Sequence, residues 1–227
     1  MDYSKRCKYS IRLLEKLESL DILQQLDFNT INKAIYWARK YHNGQFRKSG
    51  EPFYSHPLEV AYIISDYLPQ TNIIVASILH DIVEDTYVTT GMILDEFGWR
   101  IAEIVDRLTR DRPEGTKLSV AEILNNAYEI NDTEVLLIKI IDRLHNIDTI
   151  GCKSRKKQIE TCLETSNNII ALTTIFHNLD LEKLLSEKVL SILYGEEECN
   201  MIMRKRYNLL SVLDSYQPPL PFVQNKI

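Results

Sequence analysis

Residues 72–86, NIIVASILHDIVEDT, decide the fold. Ile73, Ile74, Val75, Ala76, Ile78, Leu79, Ile82 and Val83 spread over nearly the whole circumference of a helix, the pattern of one buried on all sides. His80, Asp81, Glu84 and Asp85 interrupt that apolar surface. A charge in an apolar interior costs several kcal/mol unless it is paired or coordinates a metal, so these side chains need partners. Helical spacing brings His80 to Glu84, and Asp81 to both Glu84 and Asp85. By itself a His-Asp doublet also fits a plain helix end, with the acidic pair solvated and the imidazole bonded to a core acceptor. A metal site needs further ligands from elsewhere in the chain.

Outward from this stretch the apolar residues keep a helical rather than alternating period, and 7 glycines and 7 prolines in 227 residues are few. Both features predict an all-α protein with one sizeable core. A formal charge of −5 argues against nucleic-acid binding by bulk electrostatics, so any basic site is local. Cys7, Cys152, Cys162 and Cys199 show no Cys-x-x-Cys spacing, which suggests neither a zinc knuckle nor a disulfide framework. With no signal-like apolar start and no run long enough for a bilayer, the expectation is a cytoplasmic protein that binds neither membrane nor nucleic acid; homo-oligomerisation is left open.

Helices are expected over about 10–20 and 29–42, the second ending at Gly44. Residues 44–55 form an irregular segment carrying Arg47 and Lys48, either a solvated pair or a binding element. His56-Pro57 opens a third helix, with proline at the first helical position, running on to Pro69. Two more, 89–97 and 99–109, break at Gly98, and 110–117 is a charged loop serving as lid or connection. Ser119 with Glu122 forms a capping box, and Asp132 caps a helix over about 133–150. That helix is again mostly apolar but keeps a polar line, Lys139, Asp142, Asn146 and Thr149, on one face. Such a line faces solvent or an internal cleft. Beyond Gly151 come a helix with a basic start through about 176, one capped by Asp180 to Tyr194, and a last one over 196–213 before a proline-containing extended tail. His177 reads as structural. Residues 1–195 form the main domain, and 196–227 a terminal helix and tail.

His56, His80, Asp81 and Asp142 together give two imidazoles and two carboxylates from three helices. The pattern His…His-Asp…Asp resembles the ligand set of the HD metal-dependent phosphohydrolases, whose fold is a helical bundle. More narrowly, the sequence is similar to the hydrolase domain of the Rel/SpoT alarmone enzymes. The resemblance is carried by His42-x-Gly44-Gln45-x-Arg47-Lys48-Ser49-Gly50-Glu51-Pro52, His56-Pro57, His80-Asp81-x-x-Glu84-Asp85-Thr86 and Asp142-Arg143-Leu144-His145-Asn146, and covers about residues 29–175. It implies one manganese ion held by His56, His80, Asp81 and Asp142, with Glu84 and Asp85 as the catalytic acidic pair. It also implies Asn146 and Thr149 against ribose and phosphate, and Arg47 and Lys48 over the guanine face. The implied reaction removes pyrophosphate from the ribose 3′ position of guanosine tetra- or pentaphosphate (ppGpp or pppGpp), returning GDP or GTP.

Two departures stand out. Position 148, often basic in long relatives, is Asp148, and Arg107-Leu108-Thr109-Arg110 replaces the usual Gly-Val-Thr-Lys. An acidic residue beside a polyphosphate is unfavourable unless it points away. Too few residues follow the hydrolase region for a synthesising domain, so the chain is expected to resemble the hydrolase-only relatives. Two other readings compete: a phosphatase for another ribose-phosphorylated nucleotide such as NADPH, and a catalytically silent alarmone-binding regulator. Retention of all four ligand matches with Glu84, Asp85 and Asn146 argues against silence.

Overall fold

The computed structural model describes residues 5–112, 115–170, 172–173 and 179–214. Among them every regular element is helical: α1 (Lys8–Leu20), α2 (Phe28–Tyr41), α3 (Ser55–Ile64), α4 (Thr71–Leu79), α5 (Ile82–Asp85), α6 (Thr90–Phe97), α7 (Trp99–Leu108), α8 (Val120–Glu129), α9 (Thr133–Asp148), α10 (Arg155–Asn168), α11 (Leu179–Tyr194) and α12 (Glu196–Asp214). The expected all-α class is what forms. His177 and the proline-containing tail lie outside the described residues.

Helix α4 is the hub. Ile73, Ile74, Val75, Ala76, Ile78 and Leu79 are all fully buried, as a helix apolar on every side must be. It packs against α2, α3, α7 and α9, and α3 adds contacts to α1 and α9. The core that results is continuous, running from Leu13 in α1 to Val189 in α11.

The buried helix does not run to Thr86 as its apolar pattern suggests. It stops at Leu79, turns through His80 and Asp81, and resumes as the single turn α5. Hydrogen bonding supplies the reason. The Ser77 carbonyl would ordinarily accept from the amide four residues on, but it pairs at 2.7 Å with Nδ1 of His80. A side-chain donor has replaced a rung of the ladder, and Asp81, at ψ −5°, leaves the helical path.

Other boundaries also shift. Tyr54 precedes α3, so Pro57 is its third residue, where the missing amide hydrogen still costs nothing because the first four have no intrahelical acceptor. The same helix ends at Ile64 and gives way to turns before Pro69. Asp27 caps α2, accepting from the amides of Asn29 and Thr30, and its end is capped by His42 rather than Gly44. Ser119 and Glu122 form the expected box, and Asp132 accepts from the Val135 amide at the head of α9. Gly98 separates α6 from α7 at φ +83°, a conformation that glycine adopts without steric cost. Ion pairs fix the start of α9 to α7: Arg107 pairs with Asp132 at 2.7 Å, and Arg100 reaches Asp132 at 3.3 Å as well as Glu134.

Candidate metal centre and cleft

Three separate elements converge. His56 stands in the first turn of α3, His80 and Asp81 at the α4–α5 break, and Asp142 in the middle of α9. Ligand atoms of His56, His80 and Asp142 all lie within 4.8 Å of one another. Nε2 of His56 is 3.0 Å from Asp142 Oδ1 and 3.5 Å from Asp81 Oδ2; Nε2 of His80 is 3.1 Å from Asp81 Oδ1 and 3.7 Å from Asp142 Oδ1. Three of the four expected ligands thus share one centre, and Asp81 borders it, with one oxygen toward each imidazole.

The donor set fits a cation. Nδ1 of His80 faces a carbonyl, which only accepts, so Nδ1 carries a hydrogen and Nε2 is the free ring atom. That buried Nε2 makes no hydrogen bond among the described residues, although a carboxylate oxygen lies 3.1 Å away. An orphaned imidazole nitrogen aimed at two carboxylates is the arrangement a metal satisfies, and the imidazole–carboxylate mixture suits a borderline divalent ion. Without one, a proton takes that place. Burial lowers the His80 pKa, but Asp81 and Asp142 outweigh it and push it up to about 10. Conversely, burial raises the Asp81 carboxyl while His80 and His56 more than offset it, holding it down to about 2.

Behind His56 stands a residue that the residue pattern gave no reason to single out. Nδ1 of His145, one turn along α9 from Asp142, is 2.8 Å from Nδ1 of His56. Burial, with His56 and Arg47 adding to it, pushes the His145 pKa down to about 3, so its ring is neutral. If His56 offers Nε2 to a cation, its Nδ1–H donates and His145 accepts. The sequence signal was its place in the Asp142–Asn146 motif, three residues after Asp142 on the same helical face.

The acidic pair lies beside the centre. Oε1 of Glu84 accepts from the backbone amide of Arg110 at 2.6 Å, which ties the start of the 110–117 loop to α5. Burial pushes the Asp85 carboxyl up to about 6, helped by Asp81 and Glu84. Gln45 bridges from the other side: its Oε1 is 2.7 Å from Nδ1 of the buried His42, and its Nε2 donates to the Asp85 carbonyl at 2.7 Å.

Arg47 and Lys48 behave differently. Arg47 reaches inward, donating to Thr149 Oγ1 at 2.9 Å and Asn146 Oδ1 at 3.3 Å, while Asn146 donates to Asp142 Oδ1 at 2.7 Å. The polar line of α9 thus faces a cleft through Asp142, Asn146 and Thr149. Lys139, its fourth member, is buried. Lys48 is exposed but lines the same cleft, of about 290 Å³, which runs from His56, Asp81 and Asp142 past Arg47 to Cys152 and Lys153. Glycine at position 50, φ +88°, turns the loop that carries Arg47.

Both sequence departures point elsewhere. Asp148 pairs with Lys188 of α11, and Arg107 with Asp132 and Glu103. Arg110 meets Glu84 through its backbone amide, which any residue but proline supplies.

An all-helical bundle with a buried His/His/Asp centre able to hold a metal defines the class of this protein. More particularly, the chain belongs to the HD-domain family, whose model, described as HD domain, matches residues 34–169. Relatives include a GTP pyrophosphokinase of Myxococcus xanthus, 35% identical over 61% of this chain and 19% of that protein. A guanosine-3′,5′-bis(diphosphate) 3′-pyrophosphohydrolase of Haemophilus influenzae is 36% identical over 66% of this chain and 22% of its own length. The chain thus spans about a fifth of these curated relatives. The fold is shared with a solved metazoan ortholog of SpoT that hydrolyzes ppGpp, at TM-score 0.50 and 20% identity, covering 79% of this chain and 97% of that one. No helix among the described residues is long and apolar enough to cross a membrane.

Proposed function

We propose that the protein is a manganese-dependent hydrolase that removes the 3′-pyrophosphate of guanosine tetra- or pentaphosphate. The observation that carries this reading is the cleft in which the His56, His80 and Asp142 cluster, with Asp81 beside it, adjoins the Arg47–Asn146–Thr149 chain. His56 and His80 would hold the ion through Nε2, and Asp81 and Asp142 through carboxylate oxygens. Imidazole with carboxylate favours manganese over magnesium, which prefers an all-oxygen, largely hydrated shell. When bound, the ion supplies Lewis-acid activation of water and of the attacked phosphate.

The remaining steps fall to side chains. A bond forms between the water oxygen and the phosphorus on the ribose 3′ oxygen, and the bond from that phosphorus to the 3′ oxygen breaks. Pyrophosphate departs with the water oxygen, and GDP or GTP keeps the 3′ hydroxyl. Glu84, oriented by the Arg110 amide, takes the water proton. Asp85, with its raised pKa, retains a proton longer than an ordinary aspartate and delivers it to the 3′ oxygen. Asn146 and Thr149 orient ribose and phosphate, and Arg47, released from them, offers a planar cation to the base.

The test is turnover by purified protein, stripped of metal and reloaded with manganese, offered guanosine tetraphosphate and NADPH separately. GDP with pyrophosphate, formed only in the loaded sample, is the expected product. Absence of GDP sinks the reading, and phosphate released from NADPH alone moves the protein to the other nucleotide class.

A further inference from the structure

The cleft has two electrical ends. One holds the Asp81 and Asp142 carboxylates; the other is walled by Arg47, Lys48 and Lys153. Arg47 already serves Asn146 and Thr149, but Lys153 has a different situation. It follows the 3-10 turn Ile150–Cys152 and precedes Ser154, the cap of α10, so its backbone is fixed between two structured elements. Its own amide donates to the Ile150 carbonyl at 2.9 Å, and its carbonyl accepts from Gln158 Nε2 at 2.9 Å.

Among the described residues its ammonium forms no ion pair, and its charged neighbours are mainly of its own sign. Burial lowers its pKa, and Arg47, Arg143 and Lys157 lower it further; only Cys152 opposes them. Arg143, one of those cations, pairs with Glu164 at 2.8 Å. A half-buried ammonium held among cations at the lip of a cleft lacks a counter-ion, and a bound anion supplies one.

We propose that Lys153 is the core of an anion subsite for the phosphates of the nucleotide that do not react. The inference rests on the hydrolase reading for which end of the substrate is which: with the 3′ group at the His/Asp centre, the 5′-diphosphate lies toward Lys153. Lys153 is then a specificity-determining residue that distinguishes 5′-phosphorylated nucleosides from bare ones. It touches no reacting atom.

GDP carries only the non-reacting phosphates, so its binding tests the subsite without any turnover. Calorimetric titration of the manganese-loaded full chain with GDP, and separately with guanosine, is compared for wild type, Lys153→Met and Lys153→Arg. Loss of one charge-assisted contact should weaken GDP binding by about tenfold in Lys153→Met, leave guanosine binding as it was, and be largely restored in Lys153→Arg. Melting temperatures report whether Lys153→Met has simply damaged the junction before α10; a fall shared with Lys153→Arg would explain equal losses for both ligands and overturn the proposal. GDP affinity unchanged in Lys153→Met, or no GDP binding by wild type, also overturns it. The hydrolase reading fails on a separate result, absence of GDP formation from guanosine tetraphosphate. A protein that hydrolyses nothing yet loses GDP affinity in Lys153→Met keeps the subsite and loses the reaction.

Discussion

Replacing His145 by phenylalanine should weaken metal binding although His145 lies outside the four proposed ligands. At 2.8 Å its Nδ1 accepts from His56 whenever His56 offers Nε2 to the ion, and it stays neutral because burial, His56 and Arg47 disfavour its charged form. Phenylalanine keeps the ring and the packing but removes the acceptor. His56 is 2% exposed, so its Nδ1–H would be left buried and unpaired. An unsatisfied buried donor costs about 1–3 kcal/mol, relieved only if the ring flips or moves its hydrogen to Nε2, the atom needed for the ion. The prediction is therefore a fall of about ten- to a hundredfold in manganese affinity. Free manganese, followed by its electron paramagnetic resonance signal during titration, measures this directly. Circular dichroism of the metal-free variant checks the fold, and His145→Gln, which can offer an oxygen, should recover part of the loss. Wild-type affinity in His145→Phe with an intact fold would show that His56 needs no partner behind it.

Glu84→Gln should leave metal binding and fold intact while lowering turnover by about a hundredfold or more, as loss of a group that moves a proton does; near-normal turnover assigns Glu84 to anchoring the 110–117 loop alone. Arg47→Lys keeps the charge but loses the planar fork that reaches both Asn146 and Thr149, so its Michaelis constant should rise by about fivefold or more with little change in melting temperature. Equal performance of Arg47→Lys and wild type would mean that charge alone matters. Metal binding should depend on pH through His80, whose pKa Asp81 and Asp142 raise to about 10 against the effect of burial. The cation displaces that proton, so about one proton should be released per ion near neutral pH and affinity should climb with pH. In the metal-free protein the same raised pKa stabilises the fold fully below the unfolded value near 6.5, and that contribution fades as pH rises toward 10. Calorimetry in buffers of different ionisation heat counts the released protons, and a count of zero refutes this account.

His80 and Asp81 stood out in the sequence because each is an ionisable group in an apolar helix, where chemistry has to justify it. His56 and Asp142 joined them through the resemblance to the HD ligand pattern, and ligand atoms of His56, His80 and Asp142 do converge. What stayed hidden depends on contacts between distant segments. The break at Leu79 follows from a side chain capturing the Ser77 carbonyl, which apolar periodicity does not encode. Likewise His145, part of a motif but without a role, and Lys153, an ordinary polar residue in the sequence, gain their places only in the fold, one behind His56 and the other on the cleft wall. Asp148 shows the reverse, since it looks damaging in one dimension and is disposed of by Lys188, forty residues on.

The clamp on α9 has a consequence for what changes the gene can accept. Asp132 is locked to Arg100 and Arg107 at one end of this helix, and Asp148 to Lys188 at the other. Nine residues lie between the locked start and Asp142, so that carboxylate's azimuth and height are set by counting from a fixed origin. Removing or inserting a single residue in 133–141 would rotate Asp142 by about 100° and displace it by about 1.5 Å, whatever the identity of the residue. Side-chain replacements in that segment change packing one site at a time, whereas a frame-preserving deletion of one codon moves Asp142, His145, Asn146 and Thr149 together. Mutational tolerance along this stretch should accordingly divide by type of lesion: graded for substitutions and abrupt for indels.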